Sequence, residues 1–145
     1  MRKPLIFLSI AITVLASCSG YELTFNNQSI YSPPTLYTDY VVEDVALQNC
    51  LMQTIMDENI VDAKDLRSLN CSYAGIENLS GLTHFKWLET INFSSNNIRD
   101  IKPLMFLGRL QDINLEGNNL LSCQAIFALE KLITNKMVAP DHCLN

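Results

Sequence analysis

Residues that do chemistry are scarce in this chain. Two of its 145 residues are histidine, His84 and His142. There is no G-x-S-x-G elbow, no phosphate-binding glycine loop and no H-E-x-x-H pair. Asp141-His142-Cys143 invites a metal or Cys–His reading, but a cysteine needed as a structural staple cannot also be a nucleophile. Asp57, Glu58, Asp62 and Asp65 lack the D-x-D-x-D-G spacing of a calcium loop and read as a solvated surface. The expectation is a protein that is not an enzyme, with no cofactor and no metal. Positive charge is thin as well. Ten Lys and Arg stand against fifteen Asp and Glu, a formal charge of −5. An acidic chain without a Lys/Arg cluster is a poor candidate for nucleic acid, and also for docking on anionic head groups. Long apolar runs are missing too. Leu5 to Leu15, broken by Ser9 and Thr13, falls short of the ~18–20 apolar residues a spanning helix needs.

The amino terminus nevertheless has an export pattern. Met1-Arg2-Lys3 is a basic start, the apolar stretch follows, and small residues precede Cys18. Leu15-Ala16-Ser17-Cys18 resembles the lipobox of bacterial lipoproteins. The resemblance implies that residues 1–17 are a signal peptide. It also implies that Cys18 receives a diacylglyceryl thioether and that its freed amino group is acylated. Several acyl chains, at about 0.8 kcal/mol per buried CH₂, hold a protein where one chain does not. The expected location is the cell envelope, with the membrane contacted through lipid on Cys18. The resemblance also implies, through Ser19 after the cysteine, the outer membrane over the inner. Loss of Arg2 and Lys3 takes the formal charge from −5 to −7. Residues 18–145 suffice for one small domain, expected to be a monomer.

What fills the rest of the chain is a repeat. Leu66, Leu88 and Leu110 stand 22 residues apart, and their surroundings repeat with them. Leu66–Leu69–Cys71–Ile76 becomes Leu88–Ile91–Phe93–Ile98, then Leu110–Ile113–Leu115–Leu120. Leu79/Ile101/Cys123, Leu82/Leu104/Ile126 and Phe85/Leu107/Leu129 keep the same phase. A period in the twenties with L-x-x-L-x-L-x-x-N-x-L is the pattern of a leucine-rich-repeat solenoid. The fold class expected is therefore α/β, a short solenoid of about three repeats over residues 66–130. Its parallel strands, near 67–72, 89–94 and 111–116, would line the concave face. Asn96 and Asn118 should point inward and bond backbone groups at the turns; Ala74 stands there in the first repeat. Asp100 followed by Pro103 suggests a short helical turn with proline near its start.

The flanks read differently. Residues 18–41 read as a lipidated flexible tether, with a reach of roughly 25 Å. Its tyrosines, 21, 31, 37 and 40, either pack on the neighbouring cap or near the lipid, or form a recognition strip. Residues 42–65 read as a helical N-terminal cap. Asp44 is the N-cap of a helix to about Asn59, with Val45, Leu47, Cys50, Leu51, Ile55 and Met56 as its apolar stripe. Such a cap covers core that a short stack would otherwise expose. Residues 131–145 form the closing cap, where the register survives only as Leu132 and Met137.

With Cys18 lipidated, Cys50, Cys71, Cys123 and Cys143 remain. Cys71 and Cys123 occupy core columns at opposite ends of the repeats. Cys50 lies before the first repeat and Cys143 after the last. The register therefore pairs Cys50 with Cys71 and Cys123 with Cys143, each bridge contributing about 3 kcal/mol. The alternative is four buried free thiols. A zinc site would want a C-x₂-C spacing, which is absent.

Ile98-Arg99-Asp100-Ile101-Lys102-Pro103-Leu104, followed by Leu107 and Leu110, resembles the 22-residue repeat of the internalin-like bacterial leucine-rich-repeat proteins. The helical cap leading into Asp65-Leu66 is similar too, and the resemblance covers about residues 44–129. It implies the fold. For function it implies little, since that family spans adhesins, invasion factors and envelope proteins. Three repeats are also far fewer than its host-binding members have. The residues expected to face a partner are Ser68, Asn70, Ser72, Thr90, Asn92, Ser94, Asp112, Asn114 and Glu116. With strands ~4.8 Å apart, this face spans on the order of 10–15 Å and suits a peptide, a loop or a small ligand. The function expected is a lipid-anchored, protein- or peptide-binding module of the envelope. The alternative is a structural or assembly lipoprotein that scaffolds an envelope complex through its cap or tether.

Overall fold

The computed structural model describes residues 23–31 and 35–144. The chain divides into two compact units, residues 1–33 and 34–145. The expected signal peptide, residues 1–17, and Cys18 and Tyr21 lie outside the described residues.

In the first unit, β1 (Leu23–Phe25) and β2 (Gln28–Tyr31) pair antiparallel. Asn26 and Asn27 form the turn with φ of 51° and 60°. A two-residue hairpin turn of this kind needs positive φ at both positions, and asparagine visits that region more readily than other non-glycine residues. Part of the segment expected to be a flexible tether is therefore a hairpin.

The second unit begins with a strap, residues 35–42. Tyr37 donates its backbone N–H to the Ile60 carbonyl at 2.8 Å, and Val42 is buried. The Tyr37 and Tyr40 rings stack at 6.0 Å, and both meet Phe85 edge-on, at 6.0 and 5.1 Å. The tether expected to reach residue 41 thus gives way to packed chain at about residue 35. The strap's backbone lies directly over Gly81, whose φ is 90° and where a Cβ would stand 2.0 Å from the Val41 carbonyl oxygen. Only glycine fits there.

Helix α1 (Val45–Asp57) starts as expected at Asp44, whose Oδ1 accepts from the Leu47 N–H at 3.0 Å. Its other oxygen accepts from the Glu77 and Asn78 N–H groups at 2.8 and 2.9 Å. One carboxylate thereby ties the helix start to the first 22-residue unit. Burial raises the Asp44 pKa, but the N–H donors of Leu47, Glu77, Asn78 and Ala46 outweigh it and hold the group below the usual aspartate value. The helix buries a single i, i+4 row, Leu47, Leu51 and Ile55. Val45 and Met56, expected in the stripe, are 67% and 52% exposed. The helix meets the core through a narrow contact that this one row already fills.

Four strands follow in one parallel sheet, in chain order: β3 (Ser68–Asn70), β4 (Thr90–Asn92), β5 (Asp112–Asn114) and β6 (Lys136–Val138). The fold is α/β, with a second helix, α2 (Cys123–Glu130), on the chain between β5 and β6. Leu69, Ile91 and Ile113 pair in register and are buried, as are the columns Leu66/Leu88/Leu110, Leu82/Leu104/Ile126 and Phe85/Leu107/Leu129. The same bonds recur in each unit. Glu89 and Thr90 donate to the Arg67 carbonyl, Gln111 and Asp112 to Glu89, and Asn135 and Lys136 to Gln111. Asn96 and Asn118 are buried. The Asn96 Oδ1 accepts from Gly75 and Ile76, and its Nδ2 donates to the Cys71 and Phe93 carbonyls. Asn118 repeats this one unit on, with Ile98, Phe93 and Leu115. Pro103 opens a 3₁₀ turn, Lys102–Phe106, as its position suggests.

The register slips twice near the carboxyl end. Leu120 was expected in the core but is 54% exposed, and Leu121 is buried in its place. The chain gains one residue after Asn118, where the Leu121 N–H donates to the Asn118 carbonyl. That shift is local, since Ile126 and Leu129 are back in phase; two residues then enter before β6, so Met137 pairs with Ile113 at a 24-residue offset. The closing cap thus contains a fourth strand the sequence pattern did not reveal. Leu132 is exposed, and Ile133 packs on the core instead.

Both disulfides form as the register pairs them. Cys50–Cys71 joins α1 to the end of β3, and Cys123–Cys143 joins α2 to the 3₁₀ turn Asp141–Cys143. The sulfurs near His142 are therefore spent on a bridge. His142 itself donates from Nε2 to the Leu121 carbonyl at 2.9 Å.

Candidate binding face

A strand sends alternate side chains to opposite faces. Leu69, Ile91 and Ile113 go to the core, so their neighbours must go to the open face. Two rows result. Ser68, Thr90, Asp112 and Lys136 form one, and Asn70, Asn92, Asn114 and Val138 the other. Ser72, Ser94 and Glu116 follow just beyond the strand ends. Of the nine residues expected to face a partner, the six within the strands lie on the open side of the sheet. Lys136 and Val138 complete the rows and were not anticipated, because β6 lies two residues off the 22-residue period.

The asparagine row has a local purpose too. The Oδ1 atoms of Asn70, Asn92 and Asn114 accept from the backbone N–H of Ser72, Ser94 and Glu116, at 3.4, 3.0 and 2.9 Å. Each thus bends its own chain out of the strand. With the oxygens committed, the three Nδ2 groups are left as donors, for which no partner exists among the described residues. Asp112 accepts from the Asn135 Nδ2 at 2.7 Å. A hollow of about 170 Å³ lies over β4–β6, lined by Thr90, Asn92, Asp112, Asn114, Lys136 and Val138. Its chemistry is hydroxyl, amide, carboxylate and ammonium around an apolar floor, which suits hydrogen bonding to an extended polar segment.

A second concavity lies on the cap. Leu36, Tyr37, Tyr40, Met52, Ile55 and Met56 border a groove of about 360 Å³ between the strap and α1.

The chain matches no family model and no curated protein. Among the described residues, no helix is long and apolar enough to cross a membrane.

Proposed function

We propose that this chain is a lipid-anchored bacterial envelope protein whose short leucine-rich-repeat solenoid binds a protein or peptide segment on its open sheet face. The 22-residue register, the asparagines inside the turns and the helix over one end support the leucine-rich-repeat reading. The lipobox-like Leu15-Ala16-Ser17-Cys18 supports the anchor and the export, with Ser19 favouring the outer membrane. Two disulfides fit an oxidising compartment. The observation that carries the binding role is the pair of in-register polar rows over a buried row. It includes three amide donors whose oxygens are already satisfied. The protein acts without catalysis, as a monomer, and takes no nucleic acid. Substituting Asn92, Ser94 and Glu116 together with alanine tests the site: capture of the partner from intact envelopes should be lost, and unchanged capture moves the site elsewhere.

The cap groove favours a second reading, an assembly lipoprotein that docks through α1 and the strap. Met52 and Met56 are half-exposed at its border. Met52→Glu with Met56→Glu should abolish that docking and leave binding on the sheet face intact. Removing residues 21–33, which spares the packed Tyr37 and Tyr40, tests the tether separately.

A further inference from the structure

The chain's one tryptophan, Trp87, lies outside the two polar rows of the sheet. The Arg109 guanidinium carbon stands 3.9 Å from the Trp87 ring centre, and that of Arg67 stands 5.1 Å from it. The repeat builds this stack, since Trp87 and Arg109 are equivalent residues of successive units. Arg67 spends its charge on Glu89. Arg109 has no ion pair and no hydrogen bond among the described residues. An indole under a guanidinium orients it and leaves its in-plane N–H donors free for a planar anion.

Beside Arg109 lies a hollow of about 310 Å³, bordered also by Glu89, Gly108, Gln111, Leu132 and Thr134. The Glu89 carboxylate in it is the one neutralised by Arg67. A second hollow, of about 170 Å³, shares Gly108, Leu110 and Leu132 with the first. Leu104, Met105, Leu107, Leu129 and Ile133 line the rest of it. A held guanidinium, an amide and a hydroxyl thus adjoin a crevice bordered by leucine and isoleucine side chains, whose surface is shared between backbone and apolar atoms. We propose that this is a second binding site, taking the carboxyl terminus of a peptide that ends in an apolar residue. The carboxylate pairs with Arg109, Gln111 and Thr134 bond the peptide backbone, and the terminal side chain enters the crevice. Gln111 and Thr134 beside Arg109 match a peptide backbone and have no counterpart in a fatty acid, which argues for a peptide.

The full chain titrated with the acetylated tripeptide Ala-Ala-Leu tests this, with Trp87 fluorescence as the reporter. A saturable change is expected. The amidated tripeptide and the variant Arg109→Gln should each bind at least about tenfold more weakly, the worth of one charge-assisted pair. Gly108→Val should abolish binding with the thermal midpoint unchanged, because Gly108 borders both hollows and a Cβ there meets no atom within 4 Å. The Asn92, Ser94 and Glu116 triple variant should bind the tripeptide as the parent does, which separates this site from the sheet face. No response to the acid, equal binding of acid and amide, full affinity in Gly108→Val, or decanoate binding as tightly as the peptide would overturn the proposal.

Discussion

Asn118 is fully buried, and its Nδ2 donates to the Phe93 and Leu115 carbonyls at 2.8 and 2.9 Å. Asn118→Ala strands the Ile98 N–H away from water and takes one donor from each carbonyl, leaving Phe93 with the Asn96 Nδ2 and Leu115 with the backbone N–H of residue 118. We expect a loss of about 2 kcal/mol in urea unfolding, where an exposed asparagine such as Asn119 should cost almost nothing. Tyr73, Ser95 and Gly117 form another column, with φ of 56°, 56° and 75°. Only glycine sits in this region without strain. Ser95→Gly should therefore raise stability by about 0.5–1 kcal/mol, read in the same unfolding experiment. The asparagine column was legible because Asn96 and Asn118 recur in phase. The positive-φ column was not, because Tyr73 and Ser95 hide what Gly117 alone suggests.

At the scale of elements, the cap helix is joined to the repeats by Asp44 and by Cys50–Cys71. The Asp44 pKa lies below its ordinary value in the folded state. Its contribution is therefore fully present above the unfolded aspartate pKa and is lost as pH falls through the folded one. The parent's thermal midpoint should drop as pH is lowered through the acid range below about 4, and Asp44→Asn should flatten part of that slope. Replacing Cys50 and Cys71 by alanine should cost about 3 kcal/mol, by the loop it opens, and should raise hydrogen exchange first in α1. The helix was legible from its N-cap and its Leu47–Leu51–Ile55 row. The exposure of Val45 and Met56 was not, since spacing alone does not say how wide a contact the helix makes. The hairpin at Asn26-Asn27 escaped because its strands are too short to show alternation. Strand β6 escaped because two residues added between Leu129 and Lys136 move it off the period.

For the whole molecule, seven apolar columns in phase were enough to read the stack, the pairing of the cysteines and the side of each strand that opens outward. Six of the expected face residues, those within the strands, come together because a register of 22 residues repeats side-chain direction as well as burial. The Trp87–Arg109 stack obeys that register too. It was missed because two residues 22 apart look isolated until adjacent units are laid side by side.

The central claim is that the open sheet face, and not the cap, meets the partner. A photo-crosslinking amino acid placed at Asn92, at Met52 or at Gln124 in the full chain, irradiated in intact envelopes, tests it directly. The account predicts one discrete adduct from position 92 and none from positions 52 and 124. An adduct from position 52 with none from position 92 would contradict it.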